Sequence, residues 1–182
     1  IYYIGSFYKG RGIELIYNIA KRLTKFKFIL IGKRNENYFF EKLQNIKIKN
    51  YIKYKNVPKE LMKADILLMP YSLNKVLTNS SGSSSNTAKY ASPIKMFEYL
   101  ASGRPILSSN LRVLKEILVD KENCVIVKNN SLNKWVNAIT MINNNFNLRK
   151  KISKNALKTA NKFTWFNRAK LIKKLYLKNI KN

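Results

Sequence analysis

The run Ser92-Pro-Ile-Lys-Met-Phe-Glu98-Tyr-Leu-Ala-Ser-Gly-Arg-Pro105 holds the residue types best placed for chemistry. Pro93 suits a first helical position, where its missing N–H costs nothing, and Ser92 before it suits an N-cap. The free amides of such a helix start can hold an anion. Met96, Phe97, Leu100 and Ala101 follow helical periodicity, Gly103 stops the helix and Pro105 opens a strand, so Glu98 is an acid among apolar neighbours. A second candidate lies near the beginning of the chain. Gly5-Ser-Phe-Tyr-Lys9-Gly10-Arg11-Gly12 places backbone amides, Lys9 and Arg11 around a helix N-terminus, which is equipment for gripping phosphate. Its glycines follow neither the dinucleotide fingerprint nor the P-loop, and taken alone a plain strand-to-helix connection fits it equally well. Two such helix starts at the carboxyl ends of parallel strands reinforce each other, because ligands of open α/β sheets bind along that edge.

The elements that must position these residues alternate strand and helix. Tyr2 to Gly5 reads as a strand, and Gly12 to Leu23 as a helix with Leu15, Ile16, Ile19 and Leu23 on one face. Phe26 to Gly32 is an apolar run of the buried parallel kind, and Glu36 to Ile46 a second helix. Tyr51 to Val57 reads as a weaker strand, Pro58 to Lys63 as a short helix and Asp65 to Pro70 as another buried strand. Beyond the Ser92 unit come a helix near Leu111 to Leu118, a strand at Cys124 to Lys128, and a helix capped by Ser131 running to about Ile142. Two further helices follow, near Leu148 to Lys162 and Trp165 to Ile180. This βαβ series predicts one Rossmann-like α/β domain of three layers, with a mostly parallel sheet of about six strands plus C-terminal helices. Ser72 to Ala91, centred on a Ser- and Asn-rich tract, is expected to be a flexible loop; a lid and a tolerated insertion both fit it.

Composition narrows the function classes. The chain has 182 residues, long enough for a real core, and no stretch apolar enough to span a membrane. It opens on Ile1 without a basic leader, and its first residues already read as a core strand, which is expected of a fragment lacking its N-terminal half. One cysteine and no histidine exclude an internal disulfide and argue against a zinc or histidine-based centre. Cys124, inside Asn-Cys-Val-Ile-Val, reads as buried strand filler. The excess of 36 Lys and Arg over 9 Asp and Glu suggests anionic partners. The lysines are spread over the helices, however, and no nucleic-acid motif is present, so nucleic acid is not the expected partner. A nonspecific attraction to an anionic membrane surface fits better, with a cytoplasmic location.

In order and spacing, these motifs resemble the C-terminal, donor-binding half of the retaining GT-B glycosyltransferases of family four. The resemblance covers nearly the whole chain. It runs from Tyr3-Ile-Gly5 to Gly12, through Phe28-Ile-Leu-Ile-Gly32, Asn56-Val-Pro, Ala64-Asp65 to Ser72, and Ser92 to Pro105, to Phe163-Thr-Trp165 and its long helix. It implies a nucleoside-diphosphate sugar donor, UDP- or GDP-linked, and no metal or other cofactor. Gly5, Ser6, Lys9, Gly10, Arg11, Pro93, Ile94 and Lys95 then fall at the donor diphosphate. Arg11 stands where the family has a lysine, which preserves the charge. Ser6 stands where the family has an arginine, and Lys9 or Lys95 would supply the missing charge. Glu98 matches the second glutamate of the E-x7-E motif and would hold the ribose hydroxyls, since a carboxylate accepts two hydrogen bonds from a vicinal diol. Tyr90 replaces the first glutamate, which contacts the transferred sugar. Asn56, Val57, Tyr71 and Tyr90 would face the base or the sugar.

The resemblance further implies transfer with retention to a glycan or lipid-linked acceptor, as in cell-surface polysaccharide synthesis. The acceptor would be bound by an N-terminal half, so this piece alone would bind donor and transfer poorly. The helix over residues 163–182, with Leu171, Ile172, Leu175 and Tyr176 in a stripe, would cross onto that half; a membrane-surface helix is the rival reading. Two other classes stay open: a basic module binding nucleic acid or another anionic polymer, and a nucleotide-sugar epimerase of GT-B shape, although the epimerase leans on histidine that this chain lacks.

Overall fold

The computed structural model describes residues 1–33, 42–74, 76, 88 and 92–180. Six parallel strands lie in the order β3-β2-β1-β4-β5-β6. They are β1 (Tyr2–Ile4), β2 (Phe28–Ile31), β3 (Ile46–Lys49), β4 (Leu67–Met69), β5 (Ile106–Ser109) and β6 (Val125–Val127). Six helices accompany them among the described residues: α1 (Ile13–Arg22), α2 (Val57–Leu61), α3 (Ile94–Ser102), α4 (Leu132–Asn144), α5 (Phe146–Lys162) and α6 (Trp165–Ile180).

The central strands are apolar on both faces because helices cover both. Leu68 and Leu107 face one core with Ile16 and Ile19 of α1 and Trp135 and Ile139 of α4. Their neighbours Leu67, Met69 and Ile106 face a second core with Met96, Tyr99 and Leu100 of α3 and Ala156 of α5. Cys124 is fully buried in that second core, and burial pushes its thiol up to about 12, so it is a filler without thiolate character. From β1 the chain builds outward through β2 and β3, then returns to place β4 on the other side of β1. The strand order therefore reverses between β1 and β4, and a crevice opens there at the carboxyl edge.

Several local expectations are corrected. The weak strand lies at Ile46–Lys49, not at Tyr51 to Val57, where a 3₁₀ turn (Tyr54–Asn56) runs into α2. Ile46 and Ile48 alternate with Lys47 and Lys49, the pattern of an edge strand, and pair with β2 in the register Phe28↔Ile46. Of the helix expected over Glu36 to Ile46, residues 36–41 lie outside the described residues, and the remainder forms a turn entering β3. Leu111 to Leu118 is not an α-helix but contains the 3₁₀ helix Arg112–Glu116, whose three-residue period brings Leu111 and Leu114 inward together. At α3, Pro93 itself is the N-cap, with ψ 125°, and Ser92 stands outside the helix. The ring fixes φ, which an extended cap accepts as readily as a first helical turn. Most of the loop expected at Ser72 to Ala91 lies outside the described residues.

Candidate functional site

Two glycines let separate chain segments converge on the crevice. Gly12 has φ +79°, and a Cβ there would lie 1.9 Å from the Pro70 carbonyl oxygen, so only glycine lets the β1–α1 turn press against the end of β4. Ser72 N–H donates to the Gly10 carbonyl at 2.8 Å and locks the same two segments. From the other side, Tyr99 fixes α3 to β1: its hydroxyl accepts from Ile4 N–H at 2.9 Å. Met96 N–H closes on the Pro93 carbonyl at 2.9 Å, which leaves the Ile94 and Lys95 amides as the free donors of the α3 start.

Two cations meet in this frame. Arg11 donates to the Tyr71 hydroxyl at 3.2 Å, and its guanidinium lies 5.2 Å from the Tyr71 ring centroid. Lys95 places its ammonium 5.4 Å from the same ring and 4.0 Å from that of Tyr3. The Lys95 Nζ occupies the space above Gly5, where a Cβ would lie only 2.5 Å away. The ion pairs among the described residues, Lys49–Glu60, Lys63–Glu60 and Lys151–Glu122, involve neither cation. The Arg11 Nε is buried and has no acceptor. Enclosure and then the Arg11 charge hold the Lys95 ammonium down to about 7, against a weaker pull upward from Glu98. Tyr71 is buried, and that burial raises its hydroxyl above the usual phenol range despite Arg11 beside it. Two cations sharing an aromatic enclosure, with no ion pair to either among the described residues, form a place for a multiply charged anion.

Glu98 stands one turn along α3 from Lys95 and is half-buried. The nearby Glu98 carboxylate raises the exposed Tyr54 hydroxyl above the usual phenol range. Beside the crevice, at the carboxyl ends of β1 and β2, a cavity of about 110 Å³ is lined by Gly5, Ser6, Gly32, Tyr51, Ile52 and Val57 among others. A wider groove of about 600 Å³ separates α3 from the α5–α6 corner; Glu98, Phe97, Phe163 and Trp165 are on its walls.

Of the residues expected from the sequence, Gly5, Gly10, Arg11, Tyr71, Pro93, Lys95 and Glu98 come together around the crevice. Ser6 and Val57 share the smaller cavity. The side chains of Lys9 and Asn56 are exposed, and Ile94 is 67 % exposed, contributing its amide and not its side chain. Tyr90 lies outside the described residues. Three contributors escape sequence reasoning. Tyr3, read there only as a strand residue, lies against Lys95 and donates its hydroxyl to the Ser6 carbonyl at 3.0 Å. Tyr54 stands near Glu98, and Asn130, just after β6, donates to the Tyr71 carbonyl at 2.9 Å. Each depends on contacts across the fold, and only Tyr3, two residues before Gly5, offered a local signal.

The comparisons with known proteins agree with this architecture. The family model of glycosyl transferases group 1 matches residues 1–145. An uncharacterized glycosyltransferase of Methanocaldococcus jannaschii is 22 % identical over 183 aligned positions, which cover 96 % of this chain and 46 % of that protein. The chain thus spans about half the length of this relative. A glycosyltransferase of Rickettsia africae superposes with a TM-score of 0.77 at 14 % identity, over 100 % of this chain and 48 % of that one. HepE of Anabaena, solved in complex with UDP-glucose, superposes with a TM-score of 0.65 at 13 % identity, covering 87 % of this chain and 43 % of that one. The fold is that of the C-terminal half of a GT-B glycosyltransferase, and the chain belongs to the glycosyl transferases group 1 family.

Proposed function

We propose that this chain binds the nucleoside-diphosphate sugar of a retaining glycosyltransferase. The observation that carries the proposal is the pair Arg11 and Lys95, enclosed at the β1–β4 switch point without an ion pair among the described residues and beside the free amides of α3. A diphosphate bridges both cations, with Lys95 supplying the positive charge that Ser6 does not carry. Glu98 accepts from the ribose diol, and the cavity lined by Val57, Tyr51 and Gly32 takes the base.

In the reaction the bond between the anomeric carbon and the β-phosphate oxygen breaks, and charge gathers on the departing diphosphate. Arg11, Lys95 and the α3 amides stabilise that charge where it develops, and because they are already in place they need no reorganisation. The leaving phosphate takes the acceptor proton as the new bond forms on the same face. No metal is required for this scheme, because the protein supplies the positive charge. The acceptor, a glycan or lipid-linked sugar, is bound by the remaining half of a longer protein. The α6 side chains Trp165, Phe166, Leu171, Ile172, Leu175 and Tyr176, all more than half exposed, are the surface that half covers. No helix among the described residues is long and apolar enough to cross a membrane. The exposed lysines of α6 suit contact with an anionic membrane face.

Thermal unfolding with UDP, GDP and their sugar conjugates at two salt concentrations tests the proposal. One nucleotide series is expected to raise Tm at both salts. Stabilisation by polyanions alone, lost at the higher salt, would replace donor binding with a basic polyelectrolyte module.

A further inference from the structure

We propose that Tyr71 is a positioning residue of the donor site: it acts on the diphosphate only through Arg11, which its hydroxyl holds in place beside Lys95. The inference deepens the donor reading and rests on it.

Tyr71 follows β4 at the edge of the crevice, yet it is only 2 % exposed and belongs to the second core with Met69, Met96 and Tyr99. Its backbone is tied on every side. Tyr71 N–H donates to the Met69 carbonyl at 3.0 Å, its carbonyl accepts from Asn130 at 2.9 Å, and the next residue, Ser72, donates to the Gly10 carbonyl at 2.8 Å. A side chain so enclosed has little surface to offer a base or a sugar. Its ring and its hydroxyl meet the two cations instead.

Ring and hydroxyl act differently. The Arg11 guanidinium and the Lys95 ammonium stand 5.2 and 5.4 Å from the same ring centroid, so one aromatic face attracts both and offsets their mutual repulsion. Lys95 has a second ring, Tyr3, at 4.0 Å. The hydroxyl touches Arg11 alone, accepting from a terminal N–H at 3.2 Å, and among the described residues it is the acceptor that fixes this side chain, since the Arg11 Nε has none. An unheld arginine samples many rotamers, and ordering it at the moment of binding costs affinity. The Tyr71 hydroxyl orders Arg11 before the donor arrives. Tyr71→Phe removes that hold while keeping the ring and its packing.

The test is a double-mutant cycle read by calorimetry of UDP and GDP with the 182-residue chain. Tyr71→Phe is expected to weaken binding of the favoured nucleotide about fivefold, the worth of one neutral hydrogen bond. In the Arg11→Met background the same change is expected to have no effect, because no guanidinium remains to be held; in the Lys95→Met background it should again cost about fivefold. A general loosening of the fold would weaken binding alike in both backgrounds, and a direct contact between Tyr71 and the nucleotide would persist without Arg11. Either pattern overturns the inference, as does a Tyr71→Phe protein that binds as tightly as wild type. Nitrogen-15 NMR of the empty protein reads the same hold without a ligand: the Arg11 Nε–H, assigned by its absence from Arg11→Met, should be rigid in wild type and mobile in Tyr71→Phe. An Nε–H of unchanged mobility overturns the inference and leaves the donor reading standing. If neither nucleotide binds wild type, the donor reading falls and this inference falls with it.

Discussion

Arg11→Met separates a ligand cation from a structural one. In the empty domain the change removes one hydrogen bond to Tyr71 and one cation from beside Lys95. The lost bond costs about 1 kcal/mol, and relief of the like-charge contact offsets it, so the empty Tm should stay within about 2–4 °C of wild type. With donor present the outcome is different. A hydrogen bond to a charged group contributes about 1.5–3 kcal/mol, so the diphosphate should bind roughly 10- to 150-fold more weakly. UDP at one hundred times the wild-type Kd stabilises wild type by about 2.7 kcal/mol, a shift of about 5–10 °C for a chain of this size. At the same concentration the variant should retain about 0.3–1.3 kcal/mol, a shift of no more than about 5 °C. Differential scanning fluorimetry of both proteins, empty and with UDP or GDP, measures all four temperatures. A variant whose empty Tm collapses while its nucleotide shift survives would show that Arg11 props the fold and leaves the anion to other groups.

Glu98→Gln keeps the size but not the charge, so the wild-type preference for UDP over 2′-deoxy-UDP, expected at about tenfold, should shrink to near unity in a competition assay if the carboxylate reads the diol. Gly12→Ala forces a side chain into an αL position 1.9 Å from the Pro70 carbonyl oxygen, and chemical denaturation should show a loss of about 2–4 kcal/mol. Lys95→Met should gain stability relative to wild type at pH 6.5 and lose that advantage by pH 9.5. Unfolded Lys95 keeps its proton up to the ordinary lysine range and empty folded Lys95 only to about pH 7, so wild-type stability rises with pH between the two; urea titrations at both pH values read this directly.

The sheet was legible because its central strands announce themselves. Phe28-Ile-Leu-Ile and Ile66-Leu-Leu-Met are apolar without interruption, and such a run has nowhere to go except between two helix layers. The edge strand was less legible. Ile46-Lys-Ile-Lys and Tyr51-Ile-Lys-Tyr carry similar alternation, and only the open edge of β2, a tertiary fact, selects the first. In the site, the glycine turn and the Ser-Pro-x-Lys helix start were readable as separate anion-binding pieces. Their meeting over Tyr71 was not, because residues 11, 71 and 95 converge only when the chain reverses direction across the sheet between β1 and β4. Tyr3 shows the same limit: the sequence places it in a strand, and only the docked α3 turns its ring into the face of a cation site.

Where the acids lie matters more to this protein than how many bases it has. Most lysines are exposed, and charges on a wet surface are screened within about 8 Å at physiological ionic strength, so a total of +27 gives a diffuse attraction for any polyanion. Glu60 pairs with Lys49 and Lys63 and Glu122 with Lys151, and no ion pair among the described residues joins an acid to Arg11 or Lys95. Arg11 and Lys95 are thereby left uncompensated in a partly enclosed site, an arrangement that is unfavourable to the empty fold. An acid placed between them would stabilise the empty domain and compete with every anionic ligand. Leaving the pair bare reserves the strongest local field for a ligand with two adjacent negative charges, which the scattered surface lysines cannot offer in fixed geometry.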